Sequence, residues 1–387
     1  MISFTWDDVP EQYDNASLVN KLSFEPEISS FDSGHFFIQA DNYPALQKLV
    51  PVLHDKIDLI YIDPPYNTGN TFAYDDSKNH DAWLSFMSRR LQLAQKLLAQ
   101  TGCIFIAIDQ TELYHLKLLC DEIFGEQNYV NDFMWLHGKG KKDTWSRTLQ
   151  QHTLCYAKDK ISLPPFIETQ STTWATKNAD NDPRGNWFSG SISFTEKRSN
   201  PEHKNYFSIT SPSGKVWTRQ WLCSRQQMDE LLTQNKIWFG PAPDYNAVPR
   251  EKIFNDQQKE IIPRNIIDQV ESTRHAQAHL DELLEEKNSF DNPKPVALIA
   301  HLIQIACPKK DALIMDFFAG SGTTFEAACQ LNQNDGGTRR TILIQKQEPN
   351  KNQSRYKTIS DLCWARIQKN AAQFNEKCTA LELIKKP

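Results

Sequence analysis

The sequence predicts an open, mostly parallel α/β sheet wound on both faces, interrupted by one irregular α+β insertion. Three observations predict it. Short apolar runs of buried-strand type at 57–62, 103–108, 312–315 and 341–344 alternate with segments of helical apolar spacing. Two of these runs end at loops with unusual backbone demands, Asp63-Pro64-Pro65-Tyr66 and Asp316-Phe317-Phe318-Ala319-Gly320-Ser321-Gly322. Between about 161 and 285 the alternation disappears into a stretch rich in Pro, Asn, Ser, Trp and Gly, and then it resumes.

In chain order, residues 1–30 are polar and aperiodic and read as an N-terminal extension. Residues 35–39 form a first strand, followed by a helix through Leu46, Leu49, Val50 and Leu53. After the strand 57–62, apolar residues from Trp83 to Leu98 recur at helical spacing over 81–100, and Gly102 ends that helix. The strand 103–108 leads to a helix over 112–124, closed by Gly125, and to strands near 133–136 and 152–156. Residues 31–160 therefore form the first half of the α/β domain, 161–285 the insertion and 286–387 the second half. That second half reads as a helix over 295–305, strand 312–315, helix 323–330, strand 341–344 and a last helix from 354 into the mid-370s.

With 387 residues, 39% hydrophobic and 24% charged, the chain is long enough for a substantial core. It contains no apolar run of membrane-spanning length, and Trp6, Asp7 and Asp8 interrupt any leader-like stretch, so a cytoplasmic protein without membrane contact is expected. The eight cysteines form no close pair, which indicates reduced buried thiols and no metal site. A net charge of −5 does not itself mark a nucleic-acid binder, because the local field at a cleft decides. One run, 137–147, is locally basic.

Ligands of open α/β sheets bind beyond the strand C-termini, and both special loops stand at such ends. Gly320 and Gly322 permit close backbone approach at the start of the next helix. A phosphate loop would need lysine where Thr323 stands, and a dinucleotide fingerprint a glycine where Phe325 stands. Both of those readings are disfavoured. In the other loop, two prolines fix the backbone dihedrals and aim their carbonyls. Asp63 supplies an acceptor and Tyr66 a flat stacking face, a set suited to an exocyclic amine on a planar base. A merely rigid turn capped by Asp63 is the competing reading of this loop alone.

Together, and in this order, the two motifs resemble those of the β subclass of amino-group DNA methyltransferases, a circular permutation of the common arrangement. The chain looks most like the modification subunits of type III restriction systems and related solitary enzymes. The resemblance implies a Rossmann-like methyltransferase fold, circularly permuted, with residues 161–285 in the place of a target-recognition domain. It implies S-adenosylmethionine as cofactor, double-stranded DNA as substrate, a homodimer, and a restriction subunit as a further partner. Asp63 and the Pro64 carbonyl would accept hydrogen bonds from adenine N6, Pro65 would stiffen the turn, and Tyr66 would stack on the flipped base. Asp316, Phe318, Gly320 and Gly322 would line the methionine part of the cofactor, with Phe317 and Ala319 in the same loop. Thr323 and Thr324 would lie near its carboxylate, Lys294 would pair with that carboxylate, and Asp41 would meet its adenine. The ribose acid expected after strand 341–344 is replaced by Gln345, and either Gln345 or the nearest acid, Glu348, would hold the ribose. Asn67 and the basic residues Lys139, Lys141, Lys142 and Arg147 would face DNA, as would Lys197 and Arg198 in the insertion. Cytosine N4, an RNA base, or a non-catalytic recognition subunit are the alternatives. A leading Asp63 favours adenine, because cytosine-amine enzymes usually begin the tetrapeptide with serine.

Overall fold

The computed structural model describes residues 5–11, 31, 34–69, 78–137, 145–171, 177–255 and 258–382. The chain divides into two compact units, one comprising Met1–Ile167 with Pro263–Pro387 and the other Glu168–Ile262.

The first unit begins with β1 (His35–Gln39), α1 (Asn42–Leu53), β2 (Ile57–Ile62), α2 (His80–Leu97), β3 (Leu98–Ile108), α3 (Leu113–Phe124), β4 (Tyr129–Leu136) and β5 (Gln150–Ala157). The second unit holds β6 (Glu168–Ser171), β7 (Trp187–Ser191), β8 (Tyr206–Thr210), β9 (Val216–Gln220), α4 (Arg225–Thr233), β10 (Ile237–Trp238), β11 (Arg250–Phe254) and β12 (Gln258–Ile261). These strands make one three-stranded and two two-stranded sheets, with a core around Trp217, Trp221 and Met228. The first unit then resumes with β13 (Ile266–Ile267), α5 (Thr273–Leu284), α6 (Val296–Ala306), β14 (Leu313–Asp316), α7 (Thr323–Asp335), β15 (Arg340–Gln345), α8 (Ile359–Phe374) and β16 (Cys378–Glu382).

Nine strands of the first unit pair in the order β13-β4-β5-β3-β2-β14-β15-β1-β16. Eight run in one direction. Only β5 opposes its neighbours, pairing antiparallel with β3 and β4. The alternation of β2 explains why its whole run is apolar. Ile60 and Ile62 enter one core with Leu46 of α1, Trp83 of α2 and Leu116 of α3. Leu59 and Tyr61 enter the other with Leu298 of α6 and Ala327 of α7. Each fully buried aliphatic side chain of this kind contributes roughly 1.5–3 kcal/mol.

Several boundaries differ from the sequence reading. α2 starts where Asn79 accepts a hydrogen bond from the Ala82 amide at 2.7 Å. It ends at Leu97 rather than Gln100, because Leu98 turns extended and pairs with Ile57. α5 and the edge strands β13 and β16 lie outside the predicted elements, and α5 belongs with the first unit. Residues 5–11 are not a free extension. The Val9 amide donates to Ser85 Oγ at 3.0 Å, and the Glu11 carboxylate pairs with buried Arg90 at 2.6 Å.

Candidate active site

β2 and β14 are 250 residues apart in sequence but adjacent and parallel in the sheet, Leu59 facing Ile314 and Ile60 facing Met315. Their following loops therefore leave the same edge side by side. Asp63, Pro65, Tyr66, Asp316, Phe318 and Gly320 all line one cavity of about 1040 Å³. Sheet pairing, not sequence proximity, assembles this site.

The loop after β2 is held from three sides. Tyr66 donates its hydroxyl to Asp63 Oδ1 at 2.5 Å, and Lys294 Nζ donates to Asp63 Oδ2 at 2.6 Å. Lys294 lies 5.2 Å from the centre of the Tyr66 ring. The indole of buried Trp83 donates to the Pro65 carbonyl at 2.8 Å, so a core residue of α2 also fixes the second proline. Two residues that the sequence assigned to ligands have protein partners here. Lys294, assigned to a cofactor carboxylate, is the ionic partner of Asp63. Asn67, assigned to DNA, turns inward at φ 62°, donating to Glu112 Oε1 at 2.6 Å and accepting from the Lys78 amide at 2.7 Å.

The loop after β14 needs glycine at two places. Gly320 has φ +52°, with the Phe290 ring 3.4 Å from where a Cβ would stand. Gly322, at φ +84°, starts α7 where a Cβ would come within 3.2 Å of Cys363 Sγ. Asp316 is buried and accepts from Thr324 Oγ1 at 2.5 Å and from the Phe318 amide at 3.0 Å. Burial raises its carboxyl to about 7, with the charge of Asp63 acting in the same direction and the two hydrogen bonds opposing it. Thr323 is held by Arg366, whose guanidinium reaches Ser321 Oγ and Thr323 Oγ1, each at 2.9 Å, and pairs with buried Glu326. Arg366 was not legible as a site residue, because nothing in the pattern of α8 sets it apart from the helix's other charged residues, Asp361 and Lys369.

Gln345, at the end of β15, accepts from the Gly320 amide at 2.8 Å and donates to Glu348 Oε1 at 3.1 Å. It buttresses the glycine loop, and Glu348 is the carboxylate beside it on the cavity wall. Burial pushes the Glu348 carboxyl up. Asp41 caps α1 by accepting from the Tyr43 amide at 3.0 Å and also lines the cavity, as do Phe317 and Ala319. Trp135 and His137 contribute a further wall, their rings 5.1 Å apart.

This lining suits S-adenosylmethionine. Besides Asp63, five carboxylates line the cavity, Asp41, Asp109, Asp291, Asp316 and Glu348, and they suit a ligand that carries a sulfonium and an ammonium group. Among the described residues Asp316 has only a hydroxyl and an amide as hydrogen-bond partners, which leaves a buried carboxylate suited to a cation.

Of the residues assigned to DNA, Arg147 is exposed, and Lys197 and Arg198 are exposed in a single 3₁₀ turn, Glu196–Arg198, of the second unit. Lys139, Lys141 and Lys142 lie outside the described residues. No helix among the described residues is long and apolar enough to cross a membrane.

Residues 57–356 match the family model described as DNA methylase. The StyLTI Mod subunit of a type III restriction-modification enzyme from Salmonella typhimurium is 33% identical over 88% of this chain and 58% of its own length. The EcoP15I Mod subunit from Escherichia coli is 30% identical over 87% of this chain and 63% of that protein. The chain thus spans about three fifths of the length of these two relatives. The type II methyltransferase M.KpnI from Klebsiella pneumoniae is 32% identical over 96% of this chain and 99% of its own. With both motif loops joined in one cavity and the family model spanning them both, the chain belongs to the DNA methylase family.

Proposed function

We propose that this chain transfers the methyl group of S-adenosylmethionine to the N6 amine of an adenine flipped out of duplex DNA, in a restriction-modification setting. The observation that carries the proposal is Asp63, held at both carboxylate oxygens and opening on the same cavity as the Asp316–Gly322 loop. When bound, the cofactor supplies an electrophilic methyl group on sulfur.

The chain's own residues do the rest. A carboxylate has about four lone-pair sites, and Tyr66 and Lys294 occupy two of them. The remainder accept an N–H from the adenine amine, which draws that nitrogen toward tetrahedral geometry and aims its lone pair. Pro64 offers the second acceptor through its carbonyl, in a backbone that two prolines and the Trp83 bond hold rigid. Asp63 also stands ready to take the proton that the methylated nitrogen sheds. Because a free amine attacks directly, no covalent enzyme intermediate is needed, and positioning with fixed charge provides the acceleration. Flipping the base costs a few kcal/mol, and stacking on Tyr66 returns about 1–3 kcal/mol. Incubation with duplex DNA and labelled cofactor should place the label in N6-methyladenine.

The Asp316 carboxylate gives cofactor binding a pH dependence. Asp316 titrates at about 7 without a cationic partner, and a bound ammonium or sulfonium favours its ionised form. Cofactor affinity should therefore rise from pH 6 to pH 8, with proton release on binding. Calorimetry in buffers of different ionisation enthalpy measures that release; a pH-independent affinity that becomes no different in Asp316→Asn would contradict the assignment. In the basic run 137–147, Lys141→Ala with Lys142→Ala should weaken DNA binding and reduce the slope of log affinity against log salt by up to about 2. An unchanged slope would assign these lysines to solvent.

A further inference from the structure

Beside the catalytic loop lies a second cluster that methyl transfer does not use. Glu112 stands at the residue before α3 without a capping side-chain bond, and its side chain is 0% exposed, yet among the described residues no lysine or arginine pairs with it. Its Oε1 accepts from Asn67 Nδ2 at 2.6 Å and lies 2.7 Å from His80 Nδ1. Its Oε2 lies 2.8 Å from His115 Nδ1. A buried carboxylate without a permanent cation is costly. The spacing Glu112-Leu113-Tyr114-His115 places acid and imidazole one helical turn apart, on the same side of α3. His80, the first residue of α2, completes the group, and one ligand atom from each residue lies within 4.8 Å of the others. The two imidazoles are 59% and 40% exposed, so solvent reaches the cluster from their side.

We infer that His80, Glu112 and His115 form a binding site for a zinc-class divalent cation, with Asn67 joining it to the loop that carries Asp63. Two imidazoles and one carboxylate, with water completing the shell, are the donors that Zn²⁺ takes, whereas Mg²⁺ prefers oxygen ligands alone. The ion gives Glu112 a permanent positive partner, which no lysine or arginine among the described residues provides. Glu112 in turn grips Asn67, whose left-handed backbone sets the path of the chain four residues beyond Asp63. The site therefore tethers the catalytic loop to the starts of α2 and α3.

Titration of the 387-residue chain with Zn²⁺ in excess Mg²⁺ should give one ion bound per chain. His80→Ala with His115→Ala should weaken that binding by about 100-fold or more, since losing only outer-shell partners costs roughly 10–100-fold. X-ray absorption of the zinc-loaded wild-type chain should show nitrogen and oxygen neighbours at about 2.0–2.1 Å. This spectrum decides the matter even where the double variant does not fold. A sulfur shell at about 2.3 Å would assign the zinc to the cysteines and overturn the inference. Absence of saturable binding, or an unchanged affinity in a folded double variant, would overturn it equally.

Discussion

Asp63→Ala is expected to lower methyl transfer by about 10³-fold or more, with cofactor affinity changing by no more than about threefold. The size follows from what is lost. Asp63 is the only side chain of the tetrapeptide with a charged acceptor, and a 10³-fold loss corresponds to about 4 kcal/mol of transition-state stabilisation. Cofactor affinity is spared because the glycine loop, Asp316 and Glu348 are held by other partners: Thr324, Gln345 and Arg366. Single-turnover kinetics with calorimetry separates the two effects. A variant that kept its rate, or that lost cofactor binding in step with rate, would move Asp63 from the chemistry to the cofactor pocket.

Arg366→Ala is expected to cost about 3–5 kcal/mol of stability, the range for breaking a buried ion pair from one side. Arg366 is 1% exposed and Glu326 2%, with N–O separations of 3.0 and 2.9 Å. Removing the guanidinium leaves Glu326 with His279 at 2.6 Å and Asn370 at 2.9 Å. It also frees Ser321 and Thr323 in the glycine loop, so cofactor affinity falls with stability. Denaturant unfolding measures the loss; a change below about 1 kcal/mol would place this network outside the fold's energetics.

The same network has a pH signature. Burial alone would raise the Glu326 carboxyl, but the His279 hydrogen bond and the Arg366 charge hold it at about 2. Its contribution is present above the ordinary value of 4.5 and is lost as pH falls from there toward 2. The His279 imidazole is raised by its hydrogen bond to Glu326 against the opposing effect of burial. Its contribution is present below 6.5 and is lost as pH rises through the raised value.

The parallel strands and their loops were legible because each depends on local pattern: buried runs of β-branched and aromatic residues, prolines that stop a strand, glycines that open a helix. The side chains that hold the site were not legible, since their partners come from distant elements. Trp83 follows the helical apolar period of α2, and nothing in that period distinguishes a core residue from one whose indole grips Pro65. Lys294 stands 231 residues from Asp63, just ahead of α6, and only the folded chain brings the pair together. The reversed direction of β5 escaped for a related reason. The residue pattern of a largely buried strand carries no mark of its direction, which the connection decides. Gln345 looked like the loss of an expected acid. In the fold it has a different task, bracing the Gly320 amide beside Glu348.

The most direct test is the chemical identity of the product. Unmethylated duplex DNA incubated with the purified chain and isotopically labelled S-adenosylmethionine, then digested to nucleosides and resolved by mass spectrometry, should carry the label as N6-methyladenosine in its deoxy form. The signal should vanish with Asp63→Ala. Label in N4-methylcytosine, label in RNA but not in duplex DNA, or wild-type product from the Asp63→Ala chain would contradict the account.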